Sequence, residues 1–182
     1  NRHIRALSER LVQGEPLTHN MLSWAKQHVE WSLAEGDYTA RDGVLMLVID
    51  VNGNAAMTVG EYEPLTDTSA KALRARSAEA RSEADETGVA PELLAAVNDG
   101  ELAFVAPADE CLCGTATLIE QLAQTKGIPV TRVDIPAQLK GALFLVSDEH
   151  GVVPATEADA AEADAATVAF FADGYEKLRA RR

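Results

Sequence analysis

The stretch that decides the fold runs from Glu101 to Asp159: ELAFVAPADECLCGTATLIEQLAQTKGIPVTRVDIPAQLKGALFLVSDEHGVVPATEAD. An apolar run leads into a Cys/Gly/Thr turn, and the turn opens an amphipathic segment. The pattern predicts a strand over 101–106, a helix over 114–126, and strands over 129–134 and 142–147. A helix start leaves its first backbone N–H groups unpaired at the positive end of the dipole, which makes it a natural anion site. Gly114, Thr115, Ala116 and Thr117 are therefore the leading ligand-binding candidates.

Outward from that stretch, the N-terminal side mixes helices with one hairpin. Ile4, Leu7, Leu11 and Val12 fall at helical spacing, so a helix is expected over 1–12, broken by Gly14-Glu15-Pro16. Thr18 or Asn20 can cap a second helix, with Leu22, Ala25, Val29 and Leu33 on its apolar face and Gly36 at its end. Trp24 and Trp31, one seven-residue step apart, are expected to pack. The continuous apolar run Val44–Ile49 reads as a buried strand, Asn52-Gly53 as a hairpin turn, and Ala55–Tyr62 as the return strand. Thr68–Thr87, rich in Ala, Arg, Glu and Ser, reads as a solvated helix ended by Gly88. Pro91–Val97 reads as one or two further helical turns. The final segment, 160–179, is expected to be a helix with acids early and bases late, as the dipole favours. Helices and a hairpin followed by an alternating half make the chain α+β.

Composition narrows the function classes. With 29 acidic and 16 basic residues, a formal charge of −13 leaves no basic stripe to neutralise phosphates, which argues against nucleic acid. No apolar run reaches the length of a membrane span, and no secretory signal pattern opens the chain. A start at Asn1 rather than Met leaves room for a segment removed upstream. Cys111 and Cys113, one residue apart, do not make a disulfide framework and point to a reducing, cytoplasmic setting. His3, His19, His28 and His150 show no zinc-site spacing, so no metal is expected.

The order of motifs resembles the class IV aminotransferase family, which includes branched-chain and D-amino-acid aminotransferases and aminodeoxychorismate lyase. Asp99-Gly100-Glu101-Leu102 through Pro107 leads to Cys111-Leu112-Cys113-Gly114-Thr115-Ala116-Thr117, similar to the family's D-G-x-L-x-x-P and L-P-G-x-T-R runs. Gly127-Ile128-Pro129-Val130, Phe144-Leu145-Val146-Ser147 and Gly151-Val152-Val153-Pro154 then follow in the family's order. Thr167-Val168 through Tyr175 resembles the family's end, and Arg2-His3-Ile4-Arg5-Ala6-Leu7 resembles its H-x-x-R-L helix.

The resemblance implies a fold-type IV pyridoxal-phosphate enzyme, usually a homodimer, acting on a small amino-acid-like ligand. It also implies a partial N-terminal α+β domain over 1–64 and a larger mixed α/β domain over 65–182. Such chemistry needs a Schiff-base lysine, an acid beside the pyridine nitrogen and a phosphate cradle. Lys71 is the lysine candidate, and Gly114–Thr117 with Ser147 and Arg5 are the cradle candidates. Several positions depart from the pattern. The phosphate-binding Arg of H-x-x-R falls on Ala6, with Arg5 one place off, and no E-G-S/T-x-x-N strand stands between Gly88 and Gly114. Asp148 and Glu149 follow Ser147, where two carboxylates would repel a phosphate.

Cys113 sits at a helix start, a place that lowers a thiol pKa. It is read either as a nucleophile working with His150 or as a small buried core residue. Two functions follow. One is a protein that has lost pyridoxal phosphate and reuses the fold, for new chemistry at Cys113 and His150 or as a silent subunit. The other is an active aminotransferase or lyase with Lys71 as its Schiff-base residue.

Overall fold

The computed structural model describes residues 2–12, 14–36, 43–50, 52, 54–156 and 160–180. They fall into two compact units, Asn1–Pro64 and Leu65–Arg182.

The first unit contains α1 (Arg2–Ser8), a short hairpin of β1 (Leu11–Val12) and β2 (Glu15–Pro16), α2 (His19–Glu35), and a second hairpin of β3 (Gly43–Ile49) and β4 (Ala55–Glu61). Instead of reaching residue 12, α1 stops at Ser8, because Leu11 and Val12 pair with Glu15 and Pro16 around Gly14. Thr18 caps α2 by accepting from the Met21 N–H at 3.3 Å. Trp24 stacks on His28, one turn away, with ring centroids 5.1 Å apart, and Trp31 is exposed. The expected tryptophan pair does not form, because seven residues carry the helix about 10.5 Å along its axis. β3 was expected to be buried, yet it pairs only with β4 in a two-stranded sheet, and Met46 and Val48 are exposed. At the hairpin's end the Asp50 carboxylate accepts from Asn52 N and Asn54 N, both at 2.8 Å, and from Asn54 Nδ2. Gly53, expected in that turn, and Asn1 lie outside the described residues.

The second unit is built on a five-stranded sheet ordered β7-β6-β5-β8-β9. Its strands are β5 (Leu93–Asn98), β6 (Glu101–Val105), β7 (Val130–Val133), β8 (Ala142–Ser147) and β9 (Gly151–Pro154). The helices are α3 (Ala70–Thr87), α4 (Gly114–Lys126) and α5 (Glu162–Arg179). Only β6 and β7 run parallel, joined through α4; the other neighbours are antiparallel. β5 corrects the helical expectation for Pro91–Val97. Leu93, Ala95 and Val97 join one buried cluster with Phe104, Phe144, Ile119 of α4 and Phe171 of α5. Leu94 and Ala96 join the other, with Leu145 and Leu73 of α3. A central strand buried on both faces is apolar throughout, and over so few residues that run has no period to distinguish it from a helix.

The turn between β5 and β6 uses Asp99 at φ +51° and Gly100 at φ +76°. The buried Asp164 of α5 accepts from both of their N–H groups, each at 3.0 Å. α5 is thereby tied to the far end of the hairpin as well as to the sheet's apolar face.

Candidate functional site

The ends of β6 and β8 and the start of β5 lie at one end of the sheet's inner strands, and α4 begins there. Its first turn is fully partnered by the chain itself. The Asp148 carboxylate, directly after β8, accepts from Gly114 N at 3.1 Å, Thr115 N at 2.7 Å and Thr115 Oγ1 at 2.8 Å. Ala116 N donates to Cys113 Sγ at 3.5 Å, and Thr117 Oγ1 donates to the Gly114 carbonyl at 2.8 Å. The sequence stretch thus folds into the expected helix start, and a side-chain anion already sits on it. A carboxylate suits that place because it meets both the unpaired N–H groups and the positive end of the dipole.

Cys113 is the N-cap of α4 and is buried. Burial first, and the Asp148 charge second, push its thiol up to about 12. The expected lowering at the helix start is reversed, since hydrogen bonds from Ala116 and Thr115 are outweighed.

Beside this turn, Arg76 of α3 meets Glu92 and His150. Its guanidinium donates to Glu92 Oε1 at 3.1 Å and to His150 Nε2 at 2.8 Å. A guanidinium has only donors, so Nε2 must accept and the imidazole is neutral there. Burial holds the His150 pKa below its usual value, and the Arg76 charge acts in the same direction against the pull of Glu149 and Glu92. The ring is held from its backbone as well: His150 N donates to Ser147 Oγ at 2.9 Å. The next residue, Gly151, has φ +71°, and a Cβ there would lie 2.3 Å from the Tyr175 ring. Ser147, expected in a phosphate cradle, here accepts the His150 N–H within the hairpin turn. Further along α3, Arg81 pairs with Glu110 and donates to the Val105 carbonyl at 3.2 Å.

Two further predicted site residues, Lys71 and Arg5, are exposed. Lys71 is exposed in the first turn of α3, where its charge helps hold the Asp67 carboxyl below its usual value, after the Ser69 hydrogen bonds. Arg5 is exposed on α1 in the first unit, next to the buried Ala6. Sequence reasoning missed Arg76 and Glu92, and it took Asp148 as a repulsive neighbour rather than the cap of α4. The legible trace was the run Ser147-Asp148-Glu149-His150 itself, whose acids had to be partnered somewhere.

No family model matches the sequence, and no curated protein matches it. Solved structures do. A protein described as a branched-chain amino acid aminotransferase from Thermotoga maritima is 15% identical, with a TM-score of 0.56 over 98% of this chain and 79% of that one. A fold IV transaminase from Curtobacterium pusillum is 16% identical, with a TM-score of 0.54 over 99% and 80%. A protein described as an aminotransferase from Mycobacterium tuberculosis, solved with α-ketoglutarate and PMP bound, is 14% identical, with a TM-score of 0.53 over 98% and 84%. The fold is that of the fold-type IV aminotransferases. Between Gly88 and Gly114 the chain forms two strands, β5 and β6, and neither carries an E-G-S/T-x-x-N run.

That fold implies a cofactor phosphate, and the α4 turn is where the sequence resemblance puts it. With Asp148 in place, the N–H groups of Gly114, Thr115 and Ala116 and the Thr115 hydroxyl are already used. A phosphate there would meet a carboxylate of its own sign at hydrogen-bonding range, in place of donors. As arranged, the residues do not fit the cofactor.

Proposed function

We propose that this chain reuses the fold-type IV scaffold without pyridoxal phosphate, as a catalytically silent relative of the aminotransferases. The observation that carries the reading is the Asp148 carboxylate on Gly114 N, Thr115 N and Thr115 Oγ1. The buried Cys113, its thiol held protonated at neutral pH, supports a silent subunit over new thiol chemistry. Pairing with a second copy of the chain and recognition of a small amino-acid-like ligand belong to the same reading and rest on the likeness in fold. Lys71 then serves as a surface lysine.

Absorption spectroscopy of the purified chain with saturating pyridoxal phosphate tests this. We expect no band of lysine-bound cofactor and no cofactor retained on dialysis. A band that disappears in Lys71→Ala would overturn the reading and assign Lys71 the Schiff-base role in an active aminotransferase or lyase.

A further inference from the structure

Glu92, Glu149 and His150 each present one ligand atom, and the three atoms lie within 4.8 Å of one another. His150 Nε2 is 3.6 Å from Glu92 Oε1 and 3.7 Å from Glu149 Oε1. Donors at about 2.0–2.2 Å from a tetrahedral zinc ion stand about 3.3–3.6 Å from each other. The two separations from His150 Nε2 are therefore close to what one ion requires, and the two carboxylates stand within 4.8 Å of each other.

Two of the three donors are fixed by the sheet. His150 is almost fully buried, and its backbone is held by Ser147 and by Gly151 against Tyr175. Glu92 follows the buried Pro91, and its carbonyl accepts from Ser77 Oγ at 2.9 Å. The Glu149 side chain is 44% exposed and has room to close on an ion.

The donors already enclose a cation. Arg76 places its guanidinium against Glu92 Oε1 and His150 Nε2, so the imidazole lone pair points inward in the form that a metal needs. One guanidinium against Glu92 and Glu149 leaves a net negative charge, and Asp148 adjoins it in sequence. A dication balances the two carboxylates. The Arg76 side chain is 39% exposed overall, but its buried Nε pairs with Glu92 Oε2, so an entering ion has to displace that pair.

We propose that Glu92, Glu149 and His150 form a binding site for a divalent transition metal of the zinc type, which takes the place of the Arg76 guanidinium. One imidazole nitrogen and two carboxylate oxygens suit zinc, with water completing the coordination. None of its three ligands belongs to the α4 turn on which the proposed function rests.

The test is calorimetric titration of Zn²⁺ into the chelator-treated full chain, with Co²⁺ absorption as a second readout. Wild type is expected to bind one ion. Glu149→Gln, a change at an exposed side chain that spares the core, and His150→Ala should each weaken binding at least about tenfold. Arg76→Gln, which removes the competing cation, should tighten it by about tenfold. Absence of one-to-one binding in wild type overturns the site, even if Arg76→Gln binds. Binding that Glu149→Gln and His150→Ala leave unchanged overturns it equally, as does an Arg76→Gln chain that binds no tighter than wild type.

Discussion

The Asp148 carboxylate accepts from both the backbone N–H and the hydroxyl of Thr115, at 2.7 and 2.8 Å, and so joins the end of β8 to the start of α4. An acid in this position acts as a cap donated from a distant segment. Asp148→Ala should lower stability by about 0.5–2 kcal/mol, the range for losing a helix cap, read from urea denaturation. It should also change how the chain responds to anions. Inorganic phosphate should raise the melting temperature of Asp148→Ala more than that of wild type, because the freed N–H groups face a dianion. Equal responses would show that Asp148 is not what keeps phosphate off the turn.

Cys113 gives a second, chemical check. With its thiol pushed up to about 12, the thiolate fraction at pH 8 is on the order of 10⁻⁴. In native protein at that pH, iodoacetamide should leave Cys113 unmodified over hours, as measured by peptide mass spectrometry, and should label it in denaturant. The same shift sets a direction for stability. The folded pKa lies above the unfolded value of 9.0, so the contribution is complete below pH 9 and is lost as pH rises toward 12. Rapid native labelling of Cys113 would restore it as a nucleophile.

Much of the second unit is legible in the sequence because its elements carry strong local signs. Helix 114–126 is observed as Gly114–Lys126 and strand 142–147 as Ala142–Ser147. Gly88 and Gly127 end their helices in the left-handed conformation at φ +69°. What escaped was long-range. Leu93–Val97 has no period because both its faces are covered, and only the sheet order reveals it as the central strand. In the first unit, an apolar run at 44–49 predicts burial only if something covers it, which composition cannot say. Asp148, Glu92 and Arg76 come from three segments far apart in sequence. Their roles depend on the strand ends that gather them, so spacing rules for metal or phosphate motifs could not find them.

His150 contributes to the acid side of the stability profile. Its folded pKa lies below the reference value of 6.5, chiefly through burial. Between the folded value and 6.5 the unfolded chain binds the extra proton, so stability rises with pH across that window and falls as the solution is acidified through it. Urea denaturation at pH 7.5 and 5.5 should show this loss, and His150→Gln should reduce the difference between the two. A profile unchanged by His150→Gln would place the acid sensitivity elsewhere.

Asp164 supports a sharper prediction because its partners are backbone groups. Its buried carboxylate accepts from Asp99 N and Gly100 N, and the turn holding them has two consecutive residues at positive φ. This is the two-residue Asp-Gly hairpin geometry. Asp164→Ala leaves both N–H groups without their acceptor and should cost about 1–3 kcal/mol, read from urea denaturation of the full chain. Asp99→Gly keeps the N–H and relieves a left-handed φ on a residue with a Cβ, so it should stay within about 1 kcal/mol of wild type. The contrast separates the carboxylate's role from general sensitivity of the turn. If Asp99→Gly costs as much as Asp164→Ala, the turn conformation rather than its tie to α5 sets the stability of this corner.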